Sequence, residues 1–100
     1  MKYKVPFHPD AAEEYVSAYL WYSEKGTHIA EAFEQEIERA VRLIAEAPQR
    51  WPYYHAKYRK FPVRRFPYSV VYMTESDEVF ILAVAHGRRK PGYWKYRLKQ

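Results

Sequence analysis

Hydrophobic and polar positions change period several times along the chain, and each change marks an element. Residues 2–8 alternate, with Tyr3, Val5 and Phe7 on one side, which is the two-residue period of a strand. Pro6 has no amide hydrogen to give a ladder and predicts an edge position or a bulge. Pro9-Asp10 then opens a helix on which Ala12, Tyr15, Val16, Tyr19 and Leu20 share a face, and Gly26 stops it. Thr27 is placed to cap a second, longer helix. Its stripe runs through Ile29, Ala30, Phe33, Ile37, Ala40, Val41 and Ile44 and ends at Ala47, before Pro48. Glu34, Glu38, Arg39, Arg42 and Glu46 lie off that stripe. Two helices separated by so short a break must fold back as an antiparallel hairpin, and their shared apolar face needs a sheet.

Residues 48–57, rich in Pro, Trp and Tyr, read as a loop. Strand-like runs follow over 58–66, 70–74 and 79–86, the last two joined by the acidic turn at 75–78. Strict alternation sets Val79, Ile81, Ala83 and Ala85 against Phe80, Leu82, Val84 and His86. Both sets are largely apolar, so this strand is central and covered on two faces. The helix hairpin covers one. The other falls to the C-terminal segment, through Tyr93, Trp94 and Leu98, to a partner, or to both. The architecture predicted is a single α+β domain over residues 1–100, with an N-terminal strand and antiparallel helix hairpin packed on a twisted antiparallel sheet.

A chain of 100 residues with 48% hydrophobic content has enough apolar volume for one core and no second domain. It has no cysteine, which removes disulfides, thiol nucleophiles and thiolate metal sites, and fits a reducing compartment. No apolar run follows the N-terminal charges, and the longest wholly apolar stretch, residues 79–85, is far short of the roughly 20 residues of a membrane span. These features predict a cytoplasmic protein with no membrane partner.

Charge divides the chain unequally. Residues 1–50 carry a balance of −3 and residues 51–100 one of +8. Solubility alone accounts for a moderately basic domain, but so lopsided a division points to an anionic partner for the second half. The four histidines are widely spaced and none stands near paired carboxylates, so no metal and no cofactor is expected. There is no nucleophile elbow for a serine triad, and three glycines make no phosphate loop. A cationic and aromatic cluster remains: Lys57, Arg59, Lys60, Arg64 and Arg65, then His86, Arg88, Arg89 and Lys90, then Tyr93, Trp94, Lys95 and Arg97. Such interleaving suits phosphates and stacked bases, or an acidic protein surface. Each arginine taken singly is equally a solvated side chain, His86 a hydrogen-bonded histidine at a core edge, and Tyr93 and Trp94 packing anchors.

Several segments resemble the RelE/ParE toxin superfamily of type II toxin–antitoxin systems. They are Trp21-Tyr22, Ala30 with Phe33 and Glu36-Ile37, the closing run 44–48, the segment 64–72, and the run 83–94 through His86-Gly87-Arg88-Arg89. In order and spacing they cover nearly the whole chain. The resemblance implies a growth-inhibiting toxin held in check by a cognate antitoxin, with a role in plasmid stabilisation. Two activities compete within the superfamily: ParE-like members act on DNA gyrase, and RelE-like members are ribosome-dependent mRNA endonucleases. The His-Gly-Arg-Arg stretch looks ParE-like, and Ser69 stands where nuclease members often carry an arginine, although Arg65 lies on the same segment. An enzymatic member would be a metal-independent endoribonuclease, using the RNA's own 2′-hydroxyl as nucleophile. On that reading Arg65, His86, Arg88 and Tyr93 are the catalytic candidates. Arg59, Arg64, Arg65, Arg88 and Arg89 are expected to bind an anionic target, and Phe80, Leu82, Tyr93 and Trp94 an antitoxin. No small-molecule substrate is implied. A plain nucleic-acid-binding module is the reading from another class.

Overall fold

The computed structural model describes residues 3–99, and the side chains of Leu98 and Lys99 lie outside that description. Helix α1 spans Pro9–Lys25 and α2 spans Thr27–Glu46. His8, not a serine or aspartate, caps α1: its Nδ1 accepts the Asp10 N–H at 3.0 Å. Gly26 alone joins the helices at φ 156°, a backbone conformation that residues with a Cβ rarely adopt. Gly26, and not Thr27, is the N-cap of α2, with Thr27 already helical. The single-residue joint enforces the expected hairpin.

A 3₁₀ turn at Pro48–Arg50 leads into a four-stranded antiparallel sheet, β1 Tyr53–His55, β2 Tyr58–Pro62, β3 Tyr68–Glu75 and β4 Glu78–His86, in that spatial order. The short β1 lies inside the expected loop, and β2 stops at Pro62, not at residue 66. The expected strand over residues 2–8 is not one; Lys2 lies outside the described residues, and the remainder makes two isolated parallel bridges, Lys4 to Glu78 and Phe7 to Ile81. Pro6, lacking an N–H, gives its carbonyl to Ile81 N at 2.9 Å, and Lys4 does the same for Val79. The segment thus covers the outer edge of the first half of β4.

Two apolar clusters lie on opposite faces of the sheet. Phe33, Ile37 and Ile44 from α2 close the first over Phe61, Val70, Tyr72, Val79 and Ile81. Tyr58, Val71, Met73, Leu82, Ala83 and Trp94 form the second. The C-terminal segment, ending in a 3₁₀ helix at Lys95–Lys99, therefore supplies the second cover through Trp94, which is 1% exposed. Truncating so buried a Trp costs about 3–5 kcal/mol.

Two expectations about faces need correction. On α1 the inward residues are Ala11 and Ala18, flanked by half-buried Tyr15 and Tyr22, while Ala12 is exposed and Val16 and Leu20 are each 57% exposed. Apolar residues wrap most of the circumference of α1, so period alone does not select a side; the close approach of α1 to β4 selects the alanines. On β4, strict alternation fails at a bulge. Val71 pairs with Ala83 but Tyr72 with Ile81, which leaves Leu82 as an extra residue. Beyond it the faces exchange: Val84 joins Val79 and Ile81 under the helices, and Ala83 joins Leu82 in the second cluster.

Candidate functional site

The cationic cluster concentrates where β3 starts and β4 ends. Arg64 and Arg65 occupy the connection from β2 to β3, and Arg88 and Arg89 the turn after β4. Gly87 N–H donates to Pro67 O at 2.8 Å, so the two turns form one rim. Tyr68 turns its own N–H to Phe66 and its carbonyl to Val63, which closes the first turn tightly enough to hold Arg65 at φ 73°. Arg65 and Arg88 are exposed and form no ion pair among the described residues. Arg64, expected in the same role, is half committed: its guanidinium reaches buried Glu36 at 3.3 Å. Arg89 lies 3.8 Å over the Tyr93 ring, with Glu14 at 4.0 Å.

His86 stands at the rim but on the helix side of the sheet, the consequence of the Leu82 bulge. Its ring meets Tyr68 edge-on at 5.0 Å, and its Nδ1 accepts the Arg88 N–H at 3.0 Å. The Arg88 N–H thus occupies the Nδ1 acceptor position of the ring. Tyr93 packs on the other face, against the second cluster. Its hydroxyl donates to Glu14 Oε2 at 2.7 Å; burial first, then that hydrogen bond, push its pKa well above the ordinary tyrosine value. Of the four catalytic candidates, His86 and Arg88 meet through the Nδ1 hydrogen bond, and His86 and Tyr93 both line one depression on the face away from the helices. Arg59, the remaining anion-binding candidate, donates to the carbonyls of Trp51 and Gln49 and lies 3.9 Å over the Tyr53 ring, holding the 48–53 segment to the sheet.

Of the four residues expected to meet an antitoxin, Leu82 and Trp94 are each 1% exposed inside the second cluster, so their side chains offer a partner nothing as the chain stands. Phe80 and Tyr93 are half-buried and keep accessible surface.

The sequence reading missed the group that organises this region. Glu14 takes the Val84 N–H at 3.0 Å, the Tyr93 hydroxyl, and both terminal nitrogens of Arg97 at 3.1 and 2.8 Å. Arg97, 5% exposed, also donates to Leu82 O at 2.7 Å. Together they satisfy the edge of β4 where the N-terminal segment has ended, standing in for a fifth strand. Glu14 is one of several acids on an amphipathic helix, and its partners lie 70–83 residues away, so no local pattern marks it. A groove of about 670 Å³ opens beside this pair, walled by Trp21, Tyr22, Tyr68 and Val84. No cluster of metal-binding side chains is found among the described residues.

Comparison with known proteins agrees with this architecture. The family model of the ParE toxin of type II toxin–antitoxin systems, parDE, matches residues 5–91. A solved chain from the chromosomal ParDE TA system of P. aeruginosa superposes with a TM-score of 0.74 at 19% identity, covering 85% of this chain and 96% of that one. No curated protein matches in sequence.

Proposed function

The chain belongs to the ParE toxin family of type II toxin–antitoxin systems, and from that premise we propose that it arrests growth by acting on DNA gyrase and is neutralised by a cognate antitoxin. The observation that carries the choice of target is the division of the polar groups. Arg65 and Arg88 are exposed on a shared rim, while His86 and Tyr93, the two candidates that could carry a proton in RNA cleavage, are already hydrogen-bonded. A histidine whose Nδ1 holds a backbone N–H, and a tyrosine kept protonated by burial and then by a carboxylate, are poorly placed to take a proton from a 2′-hydroxyl. This arrangement supports a surface that binds, in preference to a centre assembled to cleave.

Neutralisation follows from the same charges. An acidic antitoxin segment that meets Arg65, Arg88 and Arg89 masks what the target needs, and the accessible parts of Phe80 and Tyr93 anchor it. Binding of this kind is competitive with the target and weakened by salt.

Expression of the chain alone in bacteria tests the target. The expected outcome is arrest with gyrase-linked DNA damage and intact mRNA, reversed by co-expressed antitoxin. Arrest accompanied by mRNA cut at translating ribosomes, with supercoiling unaffected, would establish the endonuclease reading in its place.

A further inference from the structure

On the face of the sheet away from the helices an open trough runs from Ala85 and Gly87, past Ser69 and Lys60, to Tyr54, His55 and Lys95. Its lining holds Lys60, Arg89, Lys90 and Lys95 and, among the described residues, not one carboxylate. The two depressions beside α1 differ sharply, for they include Glu13 and Glu14 in one and Glu34 and Glu38 in the other. The charged lining of the trough is thus wholly cationic, next to the rim that carries Arg64, Arg65 and Arg88. Aromatic rings line it as well. Tyr54, 37% exposed, has Lys60 Nζ 4.0 Å from its ring centre, and His55 lies parallel to Tyr58 at 6.5 Å. At the far end Gly92, at φ 82°, lets the Lys95 chain lie against the backbone where a Cβ would collide with it.

We propose that this trough binds a single-stranded polynucleotide, with Lys60, Lys90 and Lys95 on phosphates and bases stacked on Tyr54 and His55. The inference does not depend on whether gyrase is the target. Lysines are compact point charges on flexible stems, suited to phosphates in any sequence. Exposed aromatic faces take any base. An acidic protein segment is the weaker fit. A peptide that adds as a strand needs a free sheet edge, and the trough crosses the middle of the sheet, where the ladders between β2, β3 and β4 already use the backbone groups.

Fluorescence anisotropy with labelled oligo-dT and oligo-U of about twelve nucleotides tests it, since single-strand sites of this kind span about 4–16. Kd values of about 1–100 µM are expected at physiological salt. Three phosphate contacts give a log–log salt slope of about −2, so a fourfold rise in salt weakens binding about twentyfold. Tyr54→Ala should weaken binding about tenfold and Tyr54→Phe hardly at all, because stacking needs the ring and not the hydroxyl. Lys60→Gln combined with Lys90→Gln and Lys95→Gln should abolish it, with circular dichroism confirming the fold. Binding of either oligonucleotide supports the proposal, and the tighter one identifies the natural source. Equal affinity for a duplex, or for a polyglutamate peptide of the same charge, would overturn it. So would amide shifts on titration confined to residues 9–46.

Discussion

Arg65 sits at φ 73° without being glycine. For a side chain with a Cβ, the left-handed region costs about 1–2 kcal/mol, retained only where surroundings over-determine it. That strain separates function from fold in a test. Arg65→Gly should leave stability within about 1 kcal/mol of the parent, or raise it, because glycine takes this conformation freely. Combined replacement of Arg65, His86 and Arg88 by alanine should reduce toxicity while the fold persists. Full toxicity in that folded variant would move the active surface elsewhere. Glu14 behaves in the opposite way, as a residue of the scaffold. Its removal leaves Arg97, 5% exposed, with only the longer ion pair to Asp10 at 3.8 Å, and Glu14→Ala should cost up to about 3–5 kcal/mol by urea denaturation. The paired change Glu14→Met with Arg97→Met should recover most of that loss, since both charges then leave together. If the double variant is as unstable as the single one, the edge of β4 and not the charge is what the pair protects.

At the scale of the element, α1 shows how a helix with apolar residues on nearly every side is oriented by its neighbours. Ala11 and Ala18 face inward because only small side chains allow the approach to β4, and Val16 and Leu20 are left outside. Leu20→Gln should therefore change stability by no more than about 0.5 kcal/mol, whereas Ala18→Leu should destabilise by about 1–3 kcal/mol through overpacking. The reverse order in thermal melts would restore the face that periodicity suggested. Tyr72 ties β3 to the turn after α2 by donating to Pro48 O at 2.6 Å, and burial pushes its pKa up from 10.0 to about 12. The fold favours the neutral phenol, so its contribution is whole below pH 10 and is lost as pH rises towards 12. Urea midpoints should fall above pH 10, and Tyr72→Phe should flatten part of that fall, with Tyr15, Tyr22, Tyr68 and Tyr93, raised in the same direction, accounting for the rest.

At the scale of the whole molecule, charge is sorted by position: an acidic first half forms the hairpin and a basic second half forms the sheet, its rim and its trough. An acidic antitoxin segment should order against the second half. Hydrogen exchange with and without antitoxin is expected to show new protection within residues 58–98, strongest at the rim. Protection confined to residues 10–47 would refute that docking mode. Rim and trough adjoin through Arg89 and Lys90, so an antitoxin laid over the rim also obstructs the trough.

Much of this is legible in the sequence. The stripe Ala30, Phe33, Ile37, Ala40 and Ile44 is buried as its spacing requires, because a helix of fixed pitch repeats its face by geometry alone. The hairpin of helices follows from a one-residue break, the β3–β4 hairpin from an acidic turn between β-branched runs, and the family from the order of the segments. Such features are local, or sums of local features, and the sequence by itself determined them. The tertiary structure decided what depends on two distant segments meeting. One extra residue at Leu82 carries His86 to the helix side and Ala83 to the other, and nothing in the run 79–86 marks where the ladder will slip. Trp94, expected both to cover the second face and to meet an antitoxin, is 1% exposed because the C-terminal segment folds back fully over the sheet. Glu14 and Arg97 acquired their role only when the N-terminal segment ended short and left the edge of β4 in need of a carboxylate and a guanidinium. An unpaired backbone edge exists only once the sheet is built, so no pattern along the chain could announce the residues that complete it.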